Sequence, residues 1–331
     1  MKKIGVLTSG GDSQGMNAAI YSVVKSALQK GLEVFGIYDG YQGLIDGKVE
    51  QLTAKSVENI AHRGGTVLGT ARCPAMKTPQ GQKKAVATLE KYGIEGLVVI
   101  GGDGSFNGAK VLSTKFGINT IGIPGTIDND LAYTDFTLGF DSATATVVNA
   151  VKTLRDTRSC NGRTCVVEVM GRDAGDIALY AGIASCAEVV LVPEVEMDIS
   201  KVVATIKRNA KAGKLDNIIL VSEGVRINGE YASGKVADKV REAILERLPK
   251  INIRSMVLGH VQRGGDATLT DTLLGIRMGE HAVKCLLADK TSRVVGIKNN
   301  KIFDEDIVTA LSKTKSFDSK LYAFSKTLVK Y

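Results

Sequence analysis

The sequence predicts an α/β protein with largely parallel sheets, and three observations lead there. Short β-branched runs recur at residues 3–8, 33–38, 96–100, 119–123, 164–169, 217–221 and 255–258. Segments with apolar residues at helical spacing lie among them, at 16–29, 143–155, 199–212 and 235–247, so crossover helices should cover the sheets. The chain has 331 residues, 44% of them hydrophobic, which is more than one core usually holds, so two lobes are expected.

Taken in order, run 3–8 leads into the helical segment 16–29, which Gly31 should stop, and run 33–38 follows. Runs 96–100 and 119–123 are short and apolar, as strands covered on both faces are. Helical segment 143–155 precedes run 164–169; helical segment 199–212, closed by Gly213, precedes run 217–221. A polar, Gly-containing surface loop at 228–234 leads into helical segment 235–247, and 255–258 is the last strand-like run. The tail after Thr314, ending Lys326-Thr327-Leu328-Val329-Lys330-Tyr331, reads as a final helix with no evident function.

Composition removes several function classes. The net charge is +8, but the basic residues are spread without a dense run and few aromatics interleave them, so no nucleic-acid partner is expected. A solvated basic surface or an anionic small-molecule substrate accounts for the charge as well. The five cysteines, Cys73, Cys160, Cys165, Cys186 and Cys285, are odd in number and lack C-x-x-C spacing, so neither a disulfide framework nor a zinc site is expected. No apolar stretch is long enough for a signal peptide or a membrane span, and the protein reads as cytoplasmic with no membrane partner.

The glycines are concentrated after strands. Ser9-Gly10-Gly11-Asp12-Ser13-Gln14-Gly15 follows the first run and opens a helix, so its N–H groups suit a phosphate. Gly101-Gly102-Asp103-Gly104-Ser105 repeats the arrangement, with an Asp suited to a hard cation. The alternative is a pair of tight turns with Asp12 and Asp103 as helix caps. Neither loop is a Walker A sequence or a complete dinucleotide fingerprint.

Pro124-Gly125-Thr126-Ile127-Asp128-Asn129-Asp130 follows the run 119–123, and if it is extended, Thr126, Asp128 and Asp130 share one side. Phosphoryl transfer needs one carboxylate to take a proton from the attacking hydroxyl and another to hold metal; the competing reading is an Asp/Asn-rich turn. Met170-Gly171-Arg172, Glu223 and His260-Val261-Gln262-Arg263-Gly264-Gly265 also follow strand-like runs. Arginines there suit bidentate phosphate recognition, Glu223 suits sugar hydroxyls, and His260 reads as a hydrogen-bond donor. His62 and His281 read as structural, and no Ser/His/Asp or Cys/His order suggests a covalent mechanism.

Together these segments, in this order through nearly the whole chain, resemble the motif set of bacterial ATP-dependent 6-phosphofructokinases. A GGDG loop also occurs in NAD and lipid kinases, but those families lack the P-G-T-I-D-N-D and H-x-Q-R-G-G segments. The resemblance implies transfer of the γ-phosphate of ATP to the 1-hydroxyl of fructose 6-phosphate, with Asp128 as base and Thr126, Arg172 and Gly11 completing the catalytic set. It places ATP at Gly11, Arg72, Cys73, Gly102, Asp103, Gly104 and Ser105, and Mg²⁺ at Asp103 and Asp130. Around fructose 6-phosphate it places Thr126, Asp128, Asp130, Met170, Gly171, Arg172, Glu223, His260 and Arg263. Arg163 and Arg254 match arginines that reach the 6-phosphate from a neighbouring subunit, which implies a homotetramer. The resemblance implies the phosphofructokinase fold, two Rossmann-like, three-layer lobes with largely parallel sheets: 1–139 with 254–302 for nucleotide, and 140–253 with 303–331 for fructose 6-phosphate.

Relatives that use pyrophosphate tend to carry Asp and Lys where this chain has Gly104 and Gly125, so the resemblance favours ATP; a pyrophosphate-dependent enzyme and a non-catalytic nucleotide-binding regulator are the alternatives. The family's effector site maps to Tyr21, Lys25, Arg155, Glu188 and Lys214, together with Ala54 and Ala212; basic residues are usual at 21, 25, 54 and 212 and only Lys25 keeps the charge, while Arg155, Glu188 and Lys214 match, so weakened or absent nucleoside-diphosphate activation is expected. Cys73, Lys77, Gln82, Asn107 and Gln14 depart from commoner choices near the nucleotide.

Overall fold

A computed structural model describes residues 1–158, 162–227, 229–232 and 234–328. Cys160, part of the 228–234 loop and the last three residues of the tail lie outside the described residues. The first half of the chain runs β1 (Lys3–Thr8), α1 (Met16–Gln29), β2 (Glu33–Ile37), α2 (Gly40–Asp46), β3 (Val49–Leu52), α3 (Pro79–Tyr92), β4 (Gly96–Gly101), α4 (Asp103–Phe116), β5 (Asn119–Pro124) and α5 (Phe140–Arg158). There follow β6 (Thr164–Val169), α6 (Asp176–Ala184), β7 (Val189–Leu191), α7 (Ile199–Lys211), β8 (Ile218–Ser222), β9 (Arg226–Ile227), β10 (Glu230–Tyr231), α8 (Val236–Arg247) and β11 (Ile253–Val257). The chain then forms α9 (Leu269–Leu287), β12 (Arg293–Lys298), β13 (Lys301–Asp306), α10 (Ile307–Ser312) and α11 (Ser319–Thr327).

Two compact units result, one from Met1–Ser142 with Arg263–Lys315 and the other from Ala143–Gln262 with Ser316–Tyr331. The sequence reading put the crossings near 139, 254 and 302; the units cross at 142, 263 and 315.

The first unit holds a seven-stranded sheet in the order β13-β12-β5-β4-β1-β2-β3. Its five inner strands are parallel, and the edge strands β3 and β13 pair antiparallel. Strand periodicity sorts the side chains: Ile4, Val6, Val98, Ile100, Ile121 and Ile123 enter one cluster with α1 and α9, while Leu7, Leu97 and Val99 enter the other with α3 and α4. Both faces are therefore covered, as β-branched runs without polar alternation require. The β12–β13 hairpin had no expectation in the sequence reading. It turns on Asn299 and Asn300, whose φ of 49° and 60° suit the right-handed twist of the paired strands, so the Asn-Asn pair was its available signal.

The second unit holds a parallel sheet, β11-β6-β8-β7. Val166, Ile219 and Val221 pack on Ile199, Val202, Val203 and Ile206 of α7 and on Val236, Val240 and Ile244 of α8. The tail forms α11, opened by Asp318 accepting from the Leu321 N–H, and Tyr322 Oη donates to the Val190 carbonyl at 3.2 Å. Part of the loop expected at 228–234 is a short strand, β10, which pairs antiparallel with β9 just before the loop. The helix expected at 143–155 is longer, running Phe140–Arg158, and pairing of β11 with β6 begins at Ile253 rather than 255. Among the described residues, Cys73, Cys186 and Cys285 are free thiols, and no described helix is long and apolar enough to cross a membrane.

Candidate functional site

In the first unit, three strand ends bring three loops together. Parallel neighbours β1, β4 and β5 end on the same edge, the usual ligand edge of such a sheet. The Ser9 N–H donates to the Ile100 carbonyl at 2.9 Å and the Gly125 N–H to the Gly101 carbonyl at 2.9 Å, so the loops are laced by backbone. Gly101 is required by this approach, since a Cβ there would lie 2.4 Å from both Ser105 Oγ and the Ser9 carbonyl.

The capping alternative for the two acidic loop residues is not what the structure shows. Helix α1 is capped by Gly15 and α4 by Gly102, and no side chain closes either end. Asp103 instead sits in the first turn of α4, where the helix dipole favours an anion. Its carboxyl is nevertheless raised above the usual range, by desolvation first and then by the negative charge of Asp130. Asp130 Oδ1 is buried without a hydrogen-bond partner. Two carboxylates that repel, one with an unsatisfied oxygen, fit a divalent cation.

Segment 124–130 is not extended as the alternating pattern required. Ile127 and Asp128 form a turn, Asn129 takes a left-handed φ of 52°, and Ile127 is buried in the core. The turn is closed locally: the Asp128 N–H donates to Thr126 Oγ1 at 3.2 Å, a hydroxyl doing the work of a turn carbonyl. Asn129 Oδ1 accepts from the Thr137 N–H, Thr137 Oγ1 donates to the Thr126 carbonyl, and the Thr126 N–H donates to the Leu138 carbonyl. Asp128 is thereby held at 3% exposure.

Arg263 belongs to the same unit and donates from Nη1 to the Asp12 carbonyl at 2.8 Å. A Cβ on Gly11 would lie 2.9 Å from that nitrogen, so glycine leaves room for the guanidinium. Gln14, fully buried, donates to the Gly264 carbonyl at 2.8 Å, which gives this departure a role in holding the 263–265 turn. Asn107 donates to the Asp103 carbonyl, and Gln82 to that of Met76. Arg72 is exposed, and Cys73, half-buried, has its thiol pushed up by burial.

In the second unit, β11, β6 and β8 are adjacent and parallel, so Met170-Gly171-Arg172, Glu223 and the 259–262 turn emerge on one edge. Glu223 Oε1 accepts from the Arg172 N–H at 3.0 Å, and Gln262 Oε1 accepts from the Met170 N–H at 3.2 Å. Arg172 has a left-handed φ of 50°, a conformation costing an L-residue about 1–2 kcal/mol and one that recurs at functional sites. Gln262, fully buried, was missed as a positioning group, although it lies inside the quoted motif. His260 is exposed.

Arg163 and Arg254 are elsewhere. Arg163 directly precedes β6 and Arg254 is the second residue of β11, so both lie toward the strand starts, with Arg163 about 20 Å along an extended chain from Met170. The expected effector residues divide between the units. Arg155 (Nη2, 3.3 Å) and Lys214 (Nζ, 2.5 Å) meet Glu188 Oε1, whose side chain is fully buried and whose other oxygen accepts from the Ile218 N–H. Tyr21 and Lys25 lie on α1 of the first unit.

The phosphofructokinase family pattern matches residues 3–286 of the chain. The chain belongs to the phosphofructokinase family. It is 54% identical over 328 residues to the ATP-dependent 6-phosphofructokinase of Clostridium tetani and 51% identical over 330 residues to that of Clostridium botulinum, covering at least 99% of each chain in both cases. Among solved structures it resembles phosphofructokinase from Saccharomyces cerevisiae, with a TM-score of 0.88 and 34% identity over 99% of this chain, and it spans 48% of that longer chain. A pyrophosphate-dependent phosphofructokinase from Marinobacter aquaeolei shares the fold, with a TM-score of 0.85 at 21% identity over 100% of this chain and 92% of that one. The α/β phosphofructokinase fold with mostly parallel sheets expected from the sequence is thus the fold observed.

Proposed function

We propose that this phosphofructokinase is an ATP-dependent 6-phosphofructokinase, transferring the γ-phosphate of ATP to the 1-hydroxyl of D-fructose 6-phosphate and releasing fructose 1,6-bisphosphate and ADP in glycolysis. The observation that carries it is the end-to-end identity to enzymes of that name, on a chain whose three loops bring Asp128, Thr126 and an uncompensated Asp103–Asp130 pair to one sheet edge.

Phosphoryl transfer asks a protein mainly for position and charge. Asp128, nearly water-free, takes the proton from the 1-hydroxyl as its oxygen attacks phosphorus. Thr126, Arg172 and the backbone N–H of Gly11 hold the oxygens of the phosphoryl group in flight. The N–H groups of the 10–15 and 101–105 loops receive the nucleotide phosphates, with Arg72, Cys73, Gly102, Gly104 and Ser105 around the nucleotide. Asp103 and Asp130 would hold Mg²⁺, which neutralises charge on the phosphates when bound. Met170, Gly171, Glu223, His260 and Arg263 surround the sugar phosphate.

ATP as donor is supported by space. A Cβ on Gly104 would meet nothing within 4 Å, so this position leaves room for a nucleotide phosphate, whereas a side chain on Gly125 would press on Met16 and Ile100. A homotetramer is supported by Arg163 and Arg254, which lie away from the Arg172 edge of their own sheet. Strand β11, which carries Arg254, is an edge strand that leaves Met256 and Val257 exposed at 40% and 45%, as a strand covered by another copy would. An enzyme of this kind works in the cytoplasm, without nucleic-acid or membrane partners. Nucleoside-diphosphate activation is weakened, because Arg155 and Lys214 are engaged by Glu188 and no cation stands at Ala54 or Ala212.

The test is fructose 1,6-bisphosphate formation from fructose 6-phosphate with Mg²⁺ and either ATP or pyrophosphate. Turnover with ATP alone is expected. Turnover with pyrophosphate would overturn the donor assignment, and turnover with neither would leave a non-catalytic nucleotide-binding regulator.

A further inference from the structure

Asp271 is a buried carboxylate that the mechanism above does not use. It stands at the third position of α9, after the N-cap Thr268, whose hydroxyl accepts from the Asp271 N–H at 3.3 Å. Thr-x-x-Asp at a helix start resembles a capping box, in which the third-position acid reaches back to the N-cap N–H. Here it does not: the Thr268 N–H donates to Ser142 Oγ at 3.0 Å, and the Asp271 carboxylate is turned outward from its own helix.

It serves the neighbouring helix instead. Asp271 Oδ1 accepts from the Gly139 N–H at 3.0 Å, and Oδ2 accepts from the Ser142 N–H at 2.8 Å and from Ser142 Oγ at 2.6 Å. These are groups at the start of α5, so one carboxylate caps another helix across the fold at 1% exposure. The adjacent acid, Asp141, is occupied separately by Thr268 Oγ1 at 2.5 Å.

What Asp271 grips is the end of the 125–139 segment. The Leu138 N–H donates to the Pro124 carbonyl, and Gly139 packs so closely that a Cβ there would lie 2.5 Å from Ser13 Cβ and 3.1 Å from Ile127 Cγ2. On its other side, Asp271 lies against Gly15, where a Cβ would be 3.1 Å from the Asp271 carbonyl and 3.3 Å from its Cβ. The residue thus touches both the glycine loop after β1 and the turn that follows the Asp128 segment.

We propose that Asp271 is a positioning residue for phosphoryl transfer, a buried post that sets the spacing between the 9–15 loop and the Thr126–Asp128 turn. The role rests on the activity proposed above. A post of this kind governs how well the hydroxyl, base and phosphoryl group align, more than whether substrates bind, so its loss falls on kcat. Asp271→Asn keeps the shape and one acceptor but sets an amide N–H₂ against the donors of Ser142. Ser142→Ala leaves both backbone N–H bonds to Asp271 in place and removes Ser142 Oγ, which donates to Asp271 Oδ2 and also accepts from the Thr268 N–H.

The experiment is steady-state kinetics of the full-length wild type and both variants with ATP, Mg²⁺ and fructose 6-phosphate, with thermal melts establishing that each is folded at the assay temperature. For Asp271→Asn, kcat should fall about 10- to 100-fold with KM for both substrates within about 2-fold, and Ser142→Ala should fall the same way by less. Wild-type kcat in folded Asp271→Asn, or a raised KM at unchanged kcat, overturns the role. If Asp271→Asn does not fold, Ser142→Ala decides: unchanged kcat overturns the role and a selective loss of kcat supports it. A wild-type chain without turnover overturns the proposed activity and this role together, whereas an active wild type with unaffected variants overturns the role alone.

Discussion

The Asp103–Asp130 pair in the first unit, whose Asp103 is exposed, and the buried Glu188 in the second are both acidic sites, but the fold treats them in opposite ways. Glu188, fully buried, is met by Arg155, Lys214 and the Ile218 N–H. Asp103 and Asp130 have each other, and the carboxyl of Asp103 is pushed up by desolvation and by Asp130. Asp271 stands between these extremes, with three hydrogen bonds and no cation, and burial raises it to about 6 despite those bonds. The difference follows partners more than the unit, since Asp304 shares the first unit and is pushed the other way. Burial opposes that downward shift, but hydrogen bonds from Lys290, His281 and Arg293 outweigh it. A carboxylate neutralised within the chain holds structure together; one left uncompensated is open to a ligand.

Removing the proposed base gives the largest expected effect. Asp128→Asn should lower kcat by about 10²- to 10⁴-fold in the ATP-coupled assay while the melting temperature stays near wild type. Near-normal turnover would move the base elsewhere. On the compensated side, Glu188→Gln leaves two cations facing a buried amide and should cost about 3 kcal/mol in denaturant unfolding, the lower end for a broken buried pair because Arg155 and Lys214 are 26% and 24% exposed. Unchanged stability would mean that the pairing counts for little.

Asp271 gives a pH dependence of definite sign. Its folded pKa, about 6, lies above the unfolded value near 3.8, so its stability contribution is full below about pH 4 and is lost as pH rises through 6. The wild-type stability measured relative to Asp271→Asn should therefore decline between pH 4 and 7 by up to about 3 kcal/mol, two pKa units' worth. A flat difference in melting temperature would contradict the raised value. The smallest effect concerns metal. Mg²⁺ should raise the melting temperature of the wild type by a few degrees, whereas Asp103→Asn should start slightly higher, freed of repulsion, and respond less. An equal Mg²⁺ response in both would place the cation elsewhere.

Much of this was legible in one dimension. Runs of β-branched residues located most inner strands to within a residue or two, because a strand buried on both faces must be apolar throughout. Glycine pairs after those runs located the loops, because backbone crowding excludes a Cβ, as at Gly101. The motif order placed Asp128, Arg172 and Glu223 at strand ends. The alternation argument for Thr126, Asp128 and Asp130 failed because Thr126 Oγ1 closes a turn locally, a competition that spacing does not reveal.

By itself, then, the sequence determined the α/β class, the loops and which residue types stand after which strands, since these depend on local sterics and periodicity. Tertiary structure alone decided the sheet order, the meeting of Glu188 with cations 33 and 26 residues away, and the diversion of Asp271 to Ser142, 129 residues distant. Such pairings are set by the packing of whole elements, and no local pattern along the chain records them.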